Sequence, residues 1–352
     1  NPSSSHSYGR AAQEAMCAAR LQAADLLGCR AAEIVFTASG SEADNLALKG
    51  VAAAYRERGD HIITSAIEHP AVLNTCRYLE RQGYRVTYLP VDGDGRVDPA
   101  DVEGALTART LLVSIMHANN ETGTLQPIGE IAAAAHRHGA LLHTDAAQSF
   151  GKVPVAVDAL GVDLLTVAGH KLYAPKGVGA LYVRGGVRLE PVIHGAGHES
   201  GRRAGTENVP YIVGLGKACE LAKDNLAEQG PRVRALRDRL HELLAAGVPG
   251  LHLNGHPSER LPNTLNVSFP GVDGERLLAA APDVAPSTGS ACHAGRSEPS
   301  GVLLAMGLAR ERALGAVRLS LGRYTTAEQV DRAALSLVRA WRSLTGAAPQ
   351  SA

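Results

Sequence analysis

Short apolar runs alternate with helix-compatible stretches from about residue 11 to residue 190. This alternation is typical of a mainly parallel sheet, because parallel neighbours need long crossover connections that are usually helical. We predict an α/β fold whose large domain covers residues 1–226 and contains a seven-stranded, mainly parallel sheet. The predicted strands are residues 33–37, 61–66, 85–90, 110–116, 140–144, 163–167 and 179–183.

The pattern changes after residue 208. A long, charged helix is predicted at residues 209–246, and short strands at residues 264–268 and 317–320 follow it. Strands that are no longer separated by regular helices indicate an α+β arrangement. We therefore predict a smaller C-terminal α+β domain at residues 227–352.

The overall charge is balanced, with 35 basic and 35 acidic residues. Nothing in this balance favours a polyanion, so we predict no direct nucleic-acid partner and no membrane partner. The longest apolar runs, at residues 140–142 and 162–168, are far shorter than the ~20 residues that cross a bilayer.

The five cysteines show no CxxC pair and no regular spacing, which disfavours a disulfide framework and a zinc site. We predict a cytoplasmic, reducing setting and no metal. The chain begins at Asn1 and has no signal-peptide pattern, so we expect a further N-terminal segment in the natural protein.

Candidate functional residues follow the ends of the predicted strands, where ligands bind in open α/β sheets. Ala38-Ser39-Gly40-Ser41-Glu42 precedes a helical stretch, so its backbone N–H groups could hold a phosphate at a helix N-terminus. Ordinary N-capping is the alternative for this segment. Likewise, His69 is either a capping histidine or an imidazole that stacks on a ring and moves protons.

Asp145 and Lys171 give a sharper signal. Asp145 ends the apolar run 141–144, and a carboxylate there is costly to bury without a cationic partner such as a protonated pyridine nitrogen. Lys171 directly follows another buried strand and can form a Schiff base. A lysine, an aspartate and a phosphate-binding helix start together predict a site for pyridoxal 5'-phosphate.

The chain resembles the cysteine desulfurases, a branch of the class V aminotransferase-like, fold-type I pyridoxal-phosphate enzymes. The resemblance rests on eight motifs that occur in family order over nearly the whole sequence. They are SGSEADN at 39–45, EHPAV at 68–72, NNETG at 119–123, HTDAAQ at 143–148, GHKLYAPKG at 169–177, RRAGTEN at 202–208, GSACHA at 289–294 and VRLSLGR at 317–323.

This resemblance implies a role for each matching residue. Lys171 would form the Schiff base, Asp145 would pair with the pyridinium, and His69 would stack on the ring as an acid and base. The ring hydroxyl would be bound by Asn120 and Gln148. The substrate would be bound by Arg318, at its carboxylate, and by Asn120. The phosphate would be held by Gly40, Ser41, His170 and, from the second subunit of a homodimer, Thr206.

Cys292 is the predicted nucleophile. It lies among small residues, with a histidine and an arginine nearby that would favour the thiolate, in a stretch without a strand or helix pattern. The resemblance implies a mobile loop of the long-loop group, which passes a persulfide from Cys292 to an acceptor protein. We expect the other four cysteines, Cys17, Cys29, Cys76 and Cys219, to be inert packing residues.

The predicted reaction converts L-cysteine to L-alanine. A selenocysteine lyase or another pyridoxal-phosphate lyase is the alternative, because the same chemistry eliminates selenium. A non-catalytic sulfur-relay scaffold is a second alternative. A nicotinamide-dependent dehydrogenase is disfavoured because no G-x-G-x-x-G follows the first strand.

Two points depart from the family pattern or leave it open. Ala168 stands where family members usually carry a serine that binds the phosphate, so we expect a modest loss of cofactor affinity. The acceptor is open between iron–sulfur assembly, tRNA thiolation and DNA phosphorothioation, with DNA sulfur modification as our working expectation.

Overall fold

A computed structural model describes residues 1–289, the backbone of residues 292–293 and 296–297, and residues 298–347. The chain folds into two compact units. The large unit contains Asn1–Leu89, Val97–Ala118 and Gln126–Leu226, and the small unit contains Pro90–Arg96, Asn119–Leu125 and Ala227–Ala352. The predicted domain boundary at residue 226 stays a prediction.

The large unit is built on a seven-stranded sheet. Its strands are β1 (Ile34–Thr37), β2 (His61–Ser65), β3 (Arg85–Leu89), β4 (Thr110–Ser114), β5 (Leu141–Asp145), β6 (Leu164–Ala168) and β7 (Gly179–Val183). Their order is β1-β7-β6-β5-β4-β2-β3. Within this sheet only β7 runs antiparallel to its neighbours, so the prediction of a mainly parallel, seven-stranded sheet is confirmed.

Helix α1 (Ser7–Leu27) precedes the first strand. The helices between strands are α2 (Gly40–Ala54), α3 (Pro70–Arg81), α4 (Pro99–Ala105), α5 (Ile128–Arg137) and α6 (Val157–Leu160). Helix α7 (Val209–Gly247) follows β7 and includes residues of both units. Buried faces of α2 and α3 pack with the sheet strands in one apolar core. Such burial stabilises the unit by about 25 cal/mol for each Å² of apolar surface removed from water.

The small unit has its own sheet, made of β8 (His252–Asn254), β9 (Thr264–Ser268) and β12 (Ala316–Ser320), all antiparallel in the order β12-β9-β8. A two-stranded ladder pairs β10 (Cys292–His293) with β11 (Arg296–Ser297). The helices are the end of α7, then α8 (Gly274–Ala279), α9 (Gly301–Ala305), α10 (Arg310–Leu314) and α11 (Ala327–Thr345). Val267, Val317, Leu337 and Trp341 are among its buried core residues.

All nine predicted strands are present, with ends that shift by at most two residues. Residue 33 belongs instead to a 3-10 turn, Ala31–Glu33, that precedes β1. The predicted helix at 209–246 is also present, and Pro231 lies within it. No helix in the described part of the chain has the length and apolar character that a membrane crossing requires.

Candidate active site

Helix α2 begins directly after β1, and its first residues lie against β6 and β7. Ser39 caps the helix, since its Oγ accepts a hydrogen bond from the Glu42 N–H at 3.1 Å. A Cβ on Gly40 would lie 3.0 Å from the Cβ of Ala168, and one on Gly179 would lie 2.6 Å from the backbone of Ser39. Glycine at both positions therefore permits this close packing of the helix start.

Capping and phosphate binding are compatible here because they use different atoms. Ser39 provides the cap, as the alternative interpretation expected. The first turn of any α-helix has N–H groups without intrahelical acceptors, and Gly40 and the exposed Ser41 belong to that turn. The predicted phosphate role of Gly40 and Ser41 thus keeps its donors.

Positive charges surround His170, which lies in the 3-10 helix Gly169–Leu172 after β6. Burial lowers the pKa of His170, and interactions with Lys171, Lys176, His69 and Lys152 lower it further. Three of these four neighbours are lysines, so the local field at His170 is positive. An anionic phosphate would fit this field.

Asp145 is the last residue of β5 and is only 7% exposed. Its Oδ1 accepts a hydrogen bond from the Ala147 N–H at 2.8 Å. Burial raises the pKa of Asp145, whereas the Ala147 N–H and the charges of His69 and Lys171 favour its ionised form. The structure therefore places His69, Lys171 and Asp145 within electrostatic reach of one another, and a cationic ring nitrogen would fit beside this carboxylate.

His69 is exposed and caps α3. Its Nδ1 accepts a hydrogen bond from the Ala71 N–H at 3.1 Å, so a neutral ring carries its proton on Nε2. The cap fixes the ring without using Nε2, which remains for proton transfer. Gln148 is half-buried, and its backbone carbonyl accepts a hydrogen bond from Lys152 Nζ. Thr206 is exposed.

A second set of acidic groups lies in the core of the large unit, and the sequence analysis missed it. His143, two residues before Asp145 on β5, hydrogen-bonds Ser114 Oγ at 2.8 Å and Thr166 Oγ1 at 3.0 Å. Asp44 Oδ1 lies 3.7 Å from His143 Nε2 and has no hydrogen-bond partner in the described part of the chain. Burial lowers the pKa of His143 to about 3, so the ring is neutral.

The two carboxyl groups in this core, on Asp44 and Glu68, favour their protonated forms. Burial and the charge of Asp145 raise the pKa of Asp44 well above its usual range. Burial raises the pKa of Glu68 to about 8, against hydrogen bonds from Ser65 and the Met116 N–H. Neutral Asp44 and Glu68 add no negative charge beside Asp145, whose own pKa is raised by burial.

In the small unit, Arg318 lies on β12 and donates from Nη1 to the Asn120 carbonyl at 2.7 Å. Its Nε is buried and has no partner among the described residues. A buried N–H without an acceptor is costly, and a carboxylate is a geometrically suited acceptor for a guanidinium. Asn120 is half-buried beside it.

The Cys292 side chain lies outside the described residues. Its backbone is described, and Cys292–His293 pairs with Arg296–Ser297. The expectation of a stretch without strands is therefore wrong for these four residues. A two-residue ladder depends on backbone pairing alone, so it needs no strand-forming side-chain pattern.

The other cysteines divide into two groups. Burial raises the pKa of Cys29, Cys76 and Cys219 to about 12, which suits packing residues. Cys17 is exposed on α1, so the packing prediction is wrong for Cys17. No group of three metal-binding side chains occurs among the residues described here.

Comparison with known proteins identifies close relatives. The family model described as aminotransferase class-V matches residues 1–333. A protein named cysteine desulfurase IscS from Methanosarcina thermophila is 52% identical over 334 residues, which are 94% of this chain and 82% of the relative.

Solved structures agree in fold. A structure titled NifS-like protein superimposes with a TM-score of 0.89 at 40% identity, covering 96% of this chain and 90% of that one. DndA from Streptomyces lividans superimposes with a TM-score of 0.80 at 38% identity, covering 91% of each chain.

The buried Glu68 makes stability depend on pH. Between pH ~4.5 and ~8 the folded protein keeps a proton that the unfolded chain releases, so the free energy of unfolding falls as pH rises, by at most about 1.4 kcal/mol per pH unit. We expect Glu68→Gln to remove the Glu68 contribution and so to make the profile less steep, leaving the contribution of Asp44. Urea unfolding of cofactor-free protein at several pH values checks it, with the exposed Glu57→Gln as control. A variant and wild type with parallel pH profiles would contradict the assignment.

Proposed function

Since the chain belongs to the cysteine desulfurases of the aminotransferase class-V family, we propose that it transfers the sulfur of L-cysteine through a persulfide on Cys292 to an acceptor protein and releases L-alanine. Enzymes of this family depend on pyridoxal phosphate. Because the chain belongs to this family, it is not a nicotinamide-dependent dehydrogenase.

The observation that carries this proposal is the charge arrangement at the strand ends of the large unit. Burial disfavours the ionised form of Asp145, whereas the Ala147 N–H, His69 and Lys171 favour it, and three lysines act on His170. The cofactor needs an anion at its ring nitrogen and cations at its phosphate, so the residues fit it at both ends. When bound, pyridoxal phosphate supplies an electron-withdrawing ring that weakens bonds in the attached amino acid.

Each residue then has a defined task in our proposal. Lys171 holds the cofactor covalently and moves protons at the substrate, and His69 exchanges a proton through Nε2. Asp145 keeps the ring nitrogen protonated. The remaining contacts are to the ring hydroxyl, from Asn120 and Gln148, and to the phosphate, from Gly40, Ser41, His170 and Thr206 of the partner subunit of a homodimer.

Sulfur transfer is the step assigned to Cys292. Its thiolate Sγ attacks the substrate sulfur, so an S–S bond forms while the C–S bond of the substrate breaks. The electron pair of the broken bond stays on the substrate carbon, which takes up a proton on the way to alanine. The thiolate form is required because a thiol is a poor nucleophile.

Replacing Lys171 or Cys292 separates cofactor binding from sulfur transfer. We expect Lys171→Ala to lose the visible absorption band of the bound cofactor and all turnover. Cys292→Ser should keep the band but lose alanine formation from L-cysteine, because it has no sulfur nucleophile. Absorption spectra with parallel alanine and sulfide assays check both.

The same assays can refute the proposal. Equal alanine formation with and without Cys292 would mean a lyase, and so would activity of Cys292→Ser confined to selenocysteine. Absence of a cofactor band in wild type supplied with pyridoxal phosphate would indicate a non-catalytic scaffold.

Arg318 is proposed to bind the substrate carboxylate through the N–H edge of its guanidinium that includes the buried Nε. Arg318→Lys keeps the charge but loses the paired geometry. A hydrogen bond to a charged group is worth ~1.5–3 kcal/mol, so we expect KM for L-cysteine to rise roughly 10- to 100-fold. Steady-state alanine formation measures this change, and an unchanged KM would remove Arg318 from the substrate site.

The acceptor is proposed to be a protein in a reducing, cytoplasmic setting, where Cys292 stays reduced between turnovers. DNA sulfur modification remains our working expectation, and a structure of DndA is among the similar folds. Affinity capture with the persulfide-loaded enzyme tests it, with Cys292→Ser as the matched control. Recovery of an iron–sulfur scaffold alone would overturn this expectation.

A further inference from the structure

The turn 119–125 of the small unit is held by hydrogen bonds from side chains to its backbone. Three consecutive carbonyls each accept a side-chain hydrogen bond: that of Asn120 from Arg318 at 2.7 Å, that of Glu121 from Asn266 at 3.1 Å, and that of Thr122 from Arg260 at 2.9 Å. Asn119 Oδ1 also accepts from the N–H groups of Glu121 and Thr122. The turn is therefore a fixed platform for the Glu121 side chain.

Glu121 is a carboxylic acid that is only 8% exposed, and the roles assigned to the turn so far do not use it. Its Oε2 accepts a hydrogen bond from Ser300 Oγ at 2.5 Å. Burial raises the pKa of Glu121, whereas the Ser300 hydroxyl and the charge of Arg318 stabilise its ionised form. Burying a carboxyl group is unfavourable unless it is hydrogen-bonded, so Glu121 depends on these partners.

Ser300 directly follows residues 298 and 299, at the C-terminal end of the segment that carries Cys292. It is 2% exposed and caps α9, where its Oγ accepts from the N–H groups of Val302 and Leu303. Donating its own hydrogen to Glu121 uses the remaining bonding capacity of this hydroxyl. The end of the segment is thus tied to both α9 and the turn.

Gly289 marks the other end of the segment. It has φ +67°, and a Cβ built on it would overlap Glu121 Oε2, so its backbone packs directly on the same carboxylate. Two residues earlier, the backbone of Ser287 exchanges hydrogen bonds with Arg318 at 3.1 and 2.7 Å. Glu121 therefore contacts both flanks of the segment 290–299.

We propose that Glu121 is a positioning residue that fixes Gly289 and Ser300 and thereby sets where the Cys292 segment begins and ends. The inference rests on the proposed role of Cys292. Both flanks and the turn belong to the small unit, so the contact is built within it. Misplacing a reacting group by about 1 Å can cost about 10²-fold in rate, so anchoring of this kind affects turnover.

Replacing either partner of the hydrogen bond tests the inference in the holoenzyme. We expect Glu121→Ala and Ser300→Ala to lower kcat for alanine formation roughly 10- to 100-fold. The KM of Ser300→Ala should stay within about threefold of wild type, because Arg318 is untouched. Glu121→Gln keeps an acceptor oxygen for Ser300 and should recover most of the kcat.

The matched control is Thr326→Ala. Thr326 caps α11 in the same unit, as Ser300 caps α9, and it is exposed. It should keep the wild-type kcat, although it also loses a helix cap. Because Glu121 and Ser300 share one bond, the double variant should be no slower than Glu121→Ala alone.

Three results would overturn the inference: wild-type kcat in Ser300→Ala, losses that multiply in the double variant, or an equal loss in Thr326→Ala. Failure of the proposed function is seen separately, as full turnover in Cys292→Ser. The two failures are distinguishable because the first leaves the need for Cys292 intact. In all variants the absorption band of the bound cofactor reports that the large unit remains loaded.

Discussion

The burial of Asp145 at the end of β5 is the constraint from which the rest of the site follows. An isolated buried carboxylate is unfavourable, and the neighbours that favour its ionised form, His69 and Lys171, are both assigned to chemistry rather than to permanent pairing. Burial raises the pKa of Asp145, so its ionised form needs a cationic partner, and the acids near it, Asp44 and Glu68, favour their neutral forms. A cationic ring nitrogen beside Asp145 would be such a partner.

A comparable constraint governs the turn 119–125. Arg260 is buried, and burial lowers its pKa to about 10, yet its Nη2 bonds two carbonyls, those of Thr122 and Thr264. Together with Asn266 and Arg318 it satisfies backbone oxygens that would otherwise be buried without partners. Polar side chains in this core therefore serve to hold one backbone segment, and the position of Glu121 depends on them.

The fold was predictable because its strands are short apolar runs, and burial on both faces leaves little choice for residues such as Leu142 or Val167. Residues at strand ends were predictable for the same reason, since the strand pattern locates them.

Asp44, Glu68 and Glu121 were missed although each lies in a quoted motif. A carboxyl group in a helix or turn is usually solvated, so its burial depends on tertiary packing that local sequence does not show. The ladder between Cys292–His293 and Arg296–Ser297 was missed because the pairing of so short a segment leaves no periodic pattern. Cys17 was assigned by residue type rather than by its position on the helix, and it is exposed.

Ala168 can be weighed against this background. The family serine at this position would add one neutral hydrogen bond to the phosphate, worth ~0.5–1.5 kcal/mol net, or roughly a two- to twelvefold change in affinity. Three lysines, Lys171, Lys176 and Lys152, act on His170 at the same strand end, and charge-assisted hydrogen bonds are about twice as strong as neutral ones. The methyl group of Ala168 also packs against Gly40, since a Cβ built on Gly40 would lie 3.0 Å from it. It therefore supports the start of α2, which supplies the backbone donors. Because charge and backbone donors outweigh a single hydroxyl, we expect the substitution to lower cofactor affinity without removing the site.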